Sequence, residues 1–419
     1  MIEMVTLDNG VRVVMEKMSS VRSVSVGVWV NTGSVSERPA ESGASHMIEH
    51  MVFKGTERRT AQQIAAEMDS IGGNLNAFTS KECTCFYAKV LDEHLPVAMD
   101  MLSDIVLHST FDPSELKKEQ GVVVEEILMN EDSPEDVAAE AANELFYADD
   151  PLAHPILGTQ QTVRSFTRES LFSYMDEHYM AGNIVIACAG SFDKERLLAL
   201  ANASFDMPKR AGTPLSTSQY PGGKRTKFIK KDIEQVHINL TFPGCGREAK
   251  EQYPLAVLSN IIGGSMSSRM FQKIREERGL AYSVYSYPIF YSNSGTFSIY
   301  AGCGDKQATE VTRLMLEELA SIRKDGVTQE EFSRCKEQLK GSYLLGLETS
   351  GSRMNVIGKV ALLQNKIYNE QETIRRIESV TMEDVLSVIP KALDDSCLSG
   401  AFVGRVEKYQ KQMETLLGV

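Results

Sequence analysis

The order of elements predicted for the first half of the chain is repeated in the second half. Residues 21–107 read as a strand, two helices, a second strand and a helix, and residues 236–322 repeat that order. Strands are indicated by alternating apolar residues, and helices by apolar residues at i, i+3 and i+4. The repeat indicates an internal duplication, and we expect two homologous halves, each large enough for its own core.

Proline and glycine interrupt the periodic pattern between the two halves, at residues 208–214 and 221–223. We therefore predict an N-terminal domain over 1–207, a linker over 208–224 and a C-terminal domain over 225–419. Alternating strands combined with long helices predict an α+β fold. We expect two homologous sandwich halves, each a mainly antiparallel sheet with helices on one side, facing each other across a cleft.

The motif H-M-I-E-H at residues 46–50 places two imidazoles four residues apart, with a carboxylate beside the second. On a helix, positions i and i+4 share a face, so both rings can reach one metal ion. Ser42 can cap the start of this helix, and Lys54-Gly55 provides a basic last turn and a stop. This order is the inverted form of the zinc-protease motif H-E-x-x-H. The alternative is two surface histidines on an ordinary amphipathic helix.

A third ligand is needed, because catalytic zinc sites use three protein ligands and keep one position open for water. A helix is predicted over 112–132, with Asp112 as its cap and a proline at its first position. One face of this helix carries Leu116, Glu119, Val123, Glu126 and Asn130. Carboxylates are rarely buried unless they are paired or bound to metal, so Glu119 and Glu126 are the candidates. A solvated acidic face is the alternative.

Together these motifs resemble the pitrilysin and insulinase family of inverted zinc peptidases, and most closely its short bacterial members related to mitochondrial processing peptidase. Glu126 follows His50 by 76 residues (126 minus 50), which matches the third ligand of that family. The resemblance therefore implies one Zn²⁺ per chain, held by His46, His50 and Glu126. It also implies Glu49 as the general base and Glu119 as a group that orients a histidine or the water.

The resemblance covers nearly the whole chain and includes a strand that binds substrate in relatives. Residues 73–80 resemble that strand, and an edge strand offers unpaired N–H and C=O groups to any peptide. The implied substrate-binding residues are Asn76, Ala77, Phe78 and Thr79. Without the resemblance, this segment would be interpreted as an ordinary strand that follows a turn.

Residues 274–283 resemble a second signature of the family. In that signature, relatives use an arginine and a tyrosine that follows it by seven residues. Arg275 and Tyr282 have that spacing, and the resemblance implies that they complete the active site from the other half. A guanidinium and a phenol are suitable donors to a substrate carbonyl or oxyanion. The alternative is a surface arginine and a core tyrosine. The second half contains only His237 and has no copy of the histidine motif.

Composition and charge argue against several other classes of protein. With 42% hydrophobic and 24% charged residues, the chain is typical of globular proteins. A net charge of -13 argues against nucleic acid as a partner. We find no signal peptide and no long apolar run, so we expect no membrane association and a bacterial cytoplasmic location. The 7 Cys include no C-x-x-C pair, which favours reduced thiols.

These observations predict a zinc-dependent metalloendopeptidase that hydrolyses unfolded peptides or processes protein segments. The resemblance also implies a homodimer, or a heteromer with a related subunit, because relatives act as dimers. One alternative is a non-catalytic structural or regulatory subunit of the same fold, although such relatives usually lose motif residues. Another is a zinc-dependent binding module without turnover.

Overall fold

The computed structural model describes residues 1–215 and 217–419. The strands are β1 (Ile2–Thr6), β2 (Arg12–Lys17), β3 (Ser23–Val30), β4 (Asn74–Thr79), β5 (Thr84–Leu91), β6 (Ile184–Gly190), β7 (Arg225–Lys230), β8 (Gln235–Pro243), β9 (Ala281–Phe290), β10 (Gly295–Gly304) and β11 (Ser399–Gly404). One position of the predicted linker 208–224, Ser216, lies outside the described residues.

The helices of the first half of the sequence are α1 (Ala44–Met51), α2 (Ala61–Ser70), α3 (Leu95–Leu107), α4 (Pro113–Asp132), α5 (Pro134–Tyr147), α6 (Gln160–Ser165), α7 (Arg168–His178) and α8 (Lys194–Ser204). Those of the second half are α9 (Gln252–Ile262), α10 (Ala308–Asp325), α11 (Gln329–Leu345), α12 (Ser350–Gln364), α13 (Glu370–Ser379), α14 (Met382–Ala392) and α15 (Gln410–Leu417). A π-helical segment covers Phe271–Glu276. Within the described parts of the chain, no helix combines the length and the apolar character that crossing a bilayer requires.

Two sheets with the same strand order confirm the predicted α+β fold of two homologous halves. The first sheet has six strands in the order β1-β2-β6-β3-β5-β4, and the second has five in the order β7-β11-β8-β10-β9. Apart from β1, each strand has a counterpart at the same place in the other sheet. Even the parallel pairs correspond, because β2 pairs with β6 and β7 pairs with β11, whereas the other neighbours are antiparallel.

The chain forms two compact units whose segments alternate along the sequence. The first unit comprises Met1–Ile127, His154–Ser216 and Leu344–Asn369, and the second comprises Leu128–Ala153, Thr217–Tyr343 and Glu370–Val419. Helix α5 packs on β7, β8 and β11, and α12 packs on the counterpart strands β2, β3 and β6. Each half of the sequence thus supplies one helix to the sheet of the other half. The domain bounds 1–207 and 225–419 stay a prediction.

Helix α12 covers the face of the first sheet that lies opposite the main core. Val24, Val26 and Val28 of β3 point into that core, and the residues between them face α12. Trp29, the only tryptophan, is 1% exposed and contacts Gly358 of α12. The first sheet therefore has helices on both faces, where one side was expected, and β3 is buried on both faces for that reason.

We expect Gly358→Ala to destabilise the first unit, because α12 packs so closely on Trp29. A Cβ at this position would lie 2.3 Å from Trp29 Nε1. Relieving this overlap should lower the free energy of unfolding by about 1–3 kcal/mol in urea unfolding followed by circular dichroism. The matched control is Gly341→Ala in α11, where a Cβ meets nothing within 4 Å. That variant should be stabilised by about 0.5–1 kcal/mol, and equal effects of the two substitutions would contradict the packing described here.

Candidate metal centre

Helix α1 carries both histidines of the motif, and its start is held by a buried carboxylate. The predicted cap, Ser42, is wrong, because the helix begins at Ala44 and its cap residue is Gly43, whose φ is 92°. Glycine has no side chain that could accept the N–H groups of the first turn. Glu37 does so instead. Its Oε2 accepts the N–H of Gly43 at 2.7 Å, and its Oε1 accepts that of Ser45 at 2.8 Å. A carboxylate here also interacts favourably with the positive end of the helix.

Sequence reasoning missed Glu37, because the loop that returns it to the helix has no regular pattern. The other predicted end of α1 also differs, since the helix ends at Met51 and Lys54-Gly55 lie in the turn beyond it. The cap predicted for α4 is confirmed: Asp112 Oδ1 accepts the N–H of Ser114 at 2.8 Å.

The pKa of Glu37 predicts a dependence of stability on pH. Burial raises this pKa to about 7, although the N–H groups of Ser45 and Gly43 act in the opposite direction. An unfolded glutamate titrates near pH 4.3, so between roughly pH 4.5 and 7 the folded protein binds more protons. The free energy of unfolding should therefore fall as pH rises through this window, by on the order of 3 kcal/mol in total. Glu37→Gln should lack this component in urea unfolding of the metal-free protein. If the free energy of unfolding changed with pH in the same way in both proteins, Glu37 would not be the source of this dependence.

The two histidines of α1 and Glu126 of α4 bring three ligand atoms together. Glu126 Oε2 lies 3.6 Å from His46 Nε2 and 3.4 Å from His50 Nε2, and one ligand atom of each residue lies within 4.8 Å of the others. Tetrahedral bonds of 2.0–2.2 Å to zinc place two ligand atoms about 3.3–3.6 Å apart, so both distances from Glu126 fit such an ion. Two imidazoles and one carboxylate are also a common donor set for zinc. Within residues 1–215 and 217–419, no other group of His, Cys, Asp and Glu side chains converges in this way.

Burial and charge act differently on the three groups. Burial, followed by the charge of His50, lowers the pKa of His46 to about 4, which favours the neutral imidazole that binds metal. Burial also acts to lower the pKa of His50. Its hydrogen bonds with Glu126 and Glu119 outweigh burial, so the pKa of His50 is raised. The hydrogen bond with His50 lowers the pKa of Glu126. The side chain of Glu126 is 42% exposed, so the cluster is open to solvent.

Two further carboxylates adjoin the cluster. Glu119 is buried, and its Oε2 accepts a hydrogen bond from His50 Nδ1 at 3.1 Å, which fixes the ring of that histidine. Glu49 accepts a hydrogen bond at Oε2 from the hydroxyl of Thr79 at 2.6 Å. Burial raises the pKa of Glu49, and the bond from Thr79 acts against that shift. Glu119 therefore contacts one of the two histidines, and Glu49 contacts the strand that contains Thr79.

Strand β4, which contains the predicted substrate residues, lies at the edge of the first sheet and pairs with β5. Asn76 is exposed, and its Oδ1 accepts the N–H of Ala77 at 2.8 Å. An incoming strand would therefore have to displace the Asn76 amide. Phe78 packs against Trp29 with ring centroids 5.5 Å apart. Thr79 connects this edge to Glu49.

Arg275 and Tyr282 lie together in the second unit, whereas the histidine cluster belongs to the first. The guanidinium of Arg275 stands 4.6 Å from the centroid of Phe271 and 4.8 Å from that of Tyr282. Tyr282 is 76% exposed, which contradicts the alternative of a core tyrosine. Helix α9, the counterpart of α1, contains neither histidine nor an acid.

Comparisons with known proteins find matches to two family models, one after the other along the chain. Residues 12–160 match the family described as Insulinase (Peptidase family M16), and residues 165–339 match the Peptidase M16 inactive domain. The uncharacterized zinc protease YmxG of Bacillus subtilis is 45% identical over 387 residues, which cover 92% of this chain and 94% of YmxG.

Solved structures show the same fold at low sequence identity. A crystal structure of a peptidase M16 inactive domain from Pseudomonas fluorescens has a TM-score of 0.90 at 20% identity, covering 96% of this chain and 97% of its own. A chain of complex III2 from Candida albicans has a TM-score of 0.85 at 20% identity, covering 99% of both chains. From the family matches and from the identity with YmxG, the chain belongs to the insulinase family, peptidase family M16.

Proposed function

We propose that the protein is a zinc-dependent endopeptidase that hydrolyses extended, unfolded peptides. The observation that carries this proposal is the convergence of His46, His50 and Glu126 beside Glu49. The naming of relatives such as YmxG as zinc proteases supports the choice of metal. These three residues would hold the ion, and bound Zn²⁺ supplies a Lewis acid that polarises a carbonyl and lowers the pKa of water.

Glu49 is the general base of the proposed reaction. Thr79 occupies its Oε2, so Oε1 remains to accept a proton from the attacking water. Glu49 then delivers that proton to the leaving amine, which completes cleavage of the peptide bond. Its burial raises its pKa, and a raised pKa suits a group that must both take and return a proton.

The edge strand β4 supports the preference for unfolded substrates. An added strand would pair with the free edge of β4, in register with Thr79 and hence with Glu49. A folded protein whose strands are already paired cannot supply that segment. Arg275 and Tyr282 are further proposed donors to the substrate, and their mutual stacking would be exchanged for contacts with it.

The test compares one substrate protein in two states. A reduced and alkylated, unfolded protein and its native form are incubated with the purified chain, with and without a chelator. We expect fragments only from the unfolded form, loss of cleavage with the chelator and recovery on adding zinc. Cleavage that persists in the chelator would contradict a metallopeptidase, and equal cleavage of the native form would contradict strand addition.

A non-catalytic subunit is the second candidate, because a chain of a multisubunit assembly, complex III2, has the same fold. That likeness concerns the fold alone. The chain retains the three convergent ligand groups and Glu49, which a purely structural role does not require. The absence of any hydrolysis in the test above would favour this candidate.

A further inference from the structure

Glu119 is a buried carboxylate with a different partner on each oxygen. Its Oε2 accepts from His50 Nδ1 at 3.1 Å, and its Oε1 lies 2.7 Å from Lys54 Nζ. The side chain of Glu119 is only 7% exposed. A buried charge is costly unless it is paired and hydrogen-bonded, so both contacts matter for the state of this carboxylate. Because each oxygen has its own partner, the two contacts also fix the rotation of the carboxylate group.

Lys54 reaches Glu119 from the same segment that carries the histidine. It stands four residues after His50, and its backbone N–H donates to the carbonyl of Met51 at 3.1 Å in the turn that ends α1. The side chain of Lys54 is 30% exposed, so its stem lies along the protein while its ammonium contacts the carboxylate. Lys54 and His50 therefore both contact one carboxylate of α4, from positions four residues apart in the sequence.

The ring of His50 depends on this carboxylate for its orientation. Among the described residues, His46 Nδ1 is buried and has no hydrogen-bond partner, so no hydrogen bond at that nitrogen orients the ring. His50 instead donates from Nδ1 to Glu119, which turns its Nε2 toward Glu126. Without Lys54, the Glu119 carboxylate would lose its cation and the contact that fixes Oε1, and it would be free to rotate away from His50.

We propose that Lys54 is a positioning residue of the metal centre, holding the Glu119 carboxylate in the orientation that directs His50 Nε2 toward the metal. The inference rests on the proposed function for the identity of the ion, and concerns affinity for that ion and not turnover. Charge alone predicts the opposite effect, because removing a cation near Zn²⁺ should strengthen binding. The sign of the change therefore separates positioning from a through-space charge effect.

The experiment measures zinc affinity by competition with a chromophoric chelator. Lys54→Met should weaken zinc binding about 10–100-fold, which is the usual effect of losing a group that orients a ligand. Lys54→Arg keeps a cation within reach and should retain most of the affinity. Lys118→Met is the matched control: this lysine lies in α4 beside Glu119, but its ammonium pairs with Glu115 in solvent. It should leave the affinity unchanged.

A double-mutant cycle tests whether Lys54 acts through Glu119. In a Glu119→Gln background, Lys54→Met should have little further effect. An equal loss in both backgrounds, or unchanged or tighter binding by Lys54→Met, would overturn the inference. If circular dichroism shows that Lys54→Met does not fold, Lys54→Gln serves as a second neutral variant. The same outcomes would then support or overturn the inference. Absence of zinc binding by the unmodified chain would overturn both this inference and the metal site. Zinc binding without hydrolysis would overturn only the proposed activity.

Discussion

Glu49→Gln should abolish most peptide hydrolysis while the metal centre stays intact. Glutamine has the same shape and can still accept the hydrogen bond from Thr79 through its amide oxygen. It cannot take a proton, however, so kcat should fall by about 10²–10⁴-fold, the usual contribution of a general base. Zinc affinity should change little, because Glu49 is not one of the three convergent groups.

The measurement is steady-state cleavage of an unfolded peptide by zinc-loaded protein, together with the zinc content of the same sample. Glu57→Gln is a suitable control, because Glu57 is an exposed glutamate just beyond α1. Its activity should match that of the unmodified protein. A Glu49→Gln variant that binds zinc and retains full activity would rule out Glu49 as the base.

Removing one of the three convergent groups should have a different signature, namely loss of the metal itself. Structural zinc sites with four protein ligands bind zinc with about 10–16 kcal/mol, which is about 2.5–4 kcal/mol for each ligand. His46→Ala should therefore weaken zinc binding by at least about 10²-fold, and hydrolysis should disappear at limiting zinc.

Thermal unfolding provides a readout of this loss that is independent of activity. A ligand that binds only the folded state stabilises it, by about 2.7 kcal/mol at 100 times its Kd. The unmodified chain should thus gain melting temperature on adding zinc, and His46→Ala should not. His108→Ala, which changes an exposed histidine, should behave like the unmodified chain. An equal zinc-dependent shift in His46→Ala would show that zinc binds elsewhere.

Most of the candidate site could be predicted from sequence, because its parts are local patterns. The spacing of His46 and His50 places both rings on one face of a helix. The stripe on α4 brings Glu119 and Glu126 to the side of that helix which faces α1, and the structure places both there. The alternation around Phe78 indicates a strand, and β4 is found at the sheet edge.

The features that could not be predicted depend on contacts between distant residues. Glu37 holds the start of α1 through an irregular loop, so Ser42 was the better candidate from local rules alone. The exchange of α5 and α12 between sheets leaves no trace in helical periodicity, because periodicity shows which face is apolar but not which sheet it covers. The sequence predicts Lys54 only as a basic residue in the last turn of a helix, and its contact with Glu119 is visible only in the structure.

The metal dependence of the proposed hydrolysis is measured by titrating Zn²⁺ into metal-free protein and following cleavage of an unfolded peptide at each addition. We expect no hydrolysis without metal, a linear rise with added zinc and a plateau at about one equivalent per chain, because three protein ligands form a single site. Undiminished hydrolysis by the metal-free protein, or none at the plateau of zinc binding, would contradict a zinc-dependent peptidase.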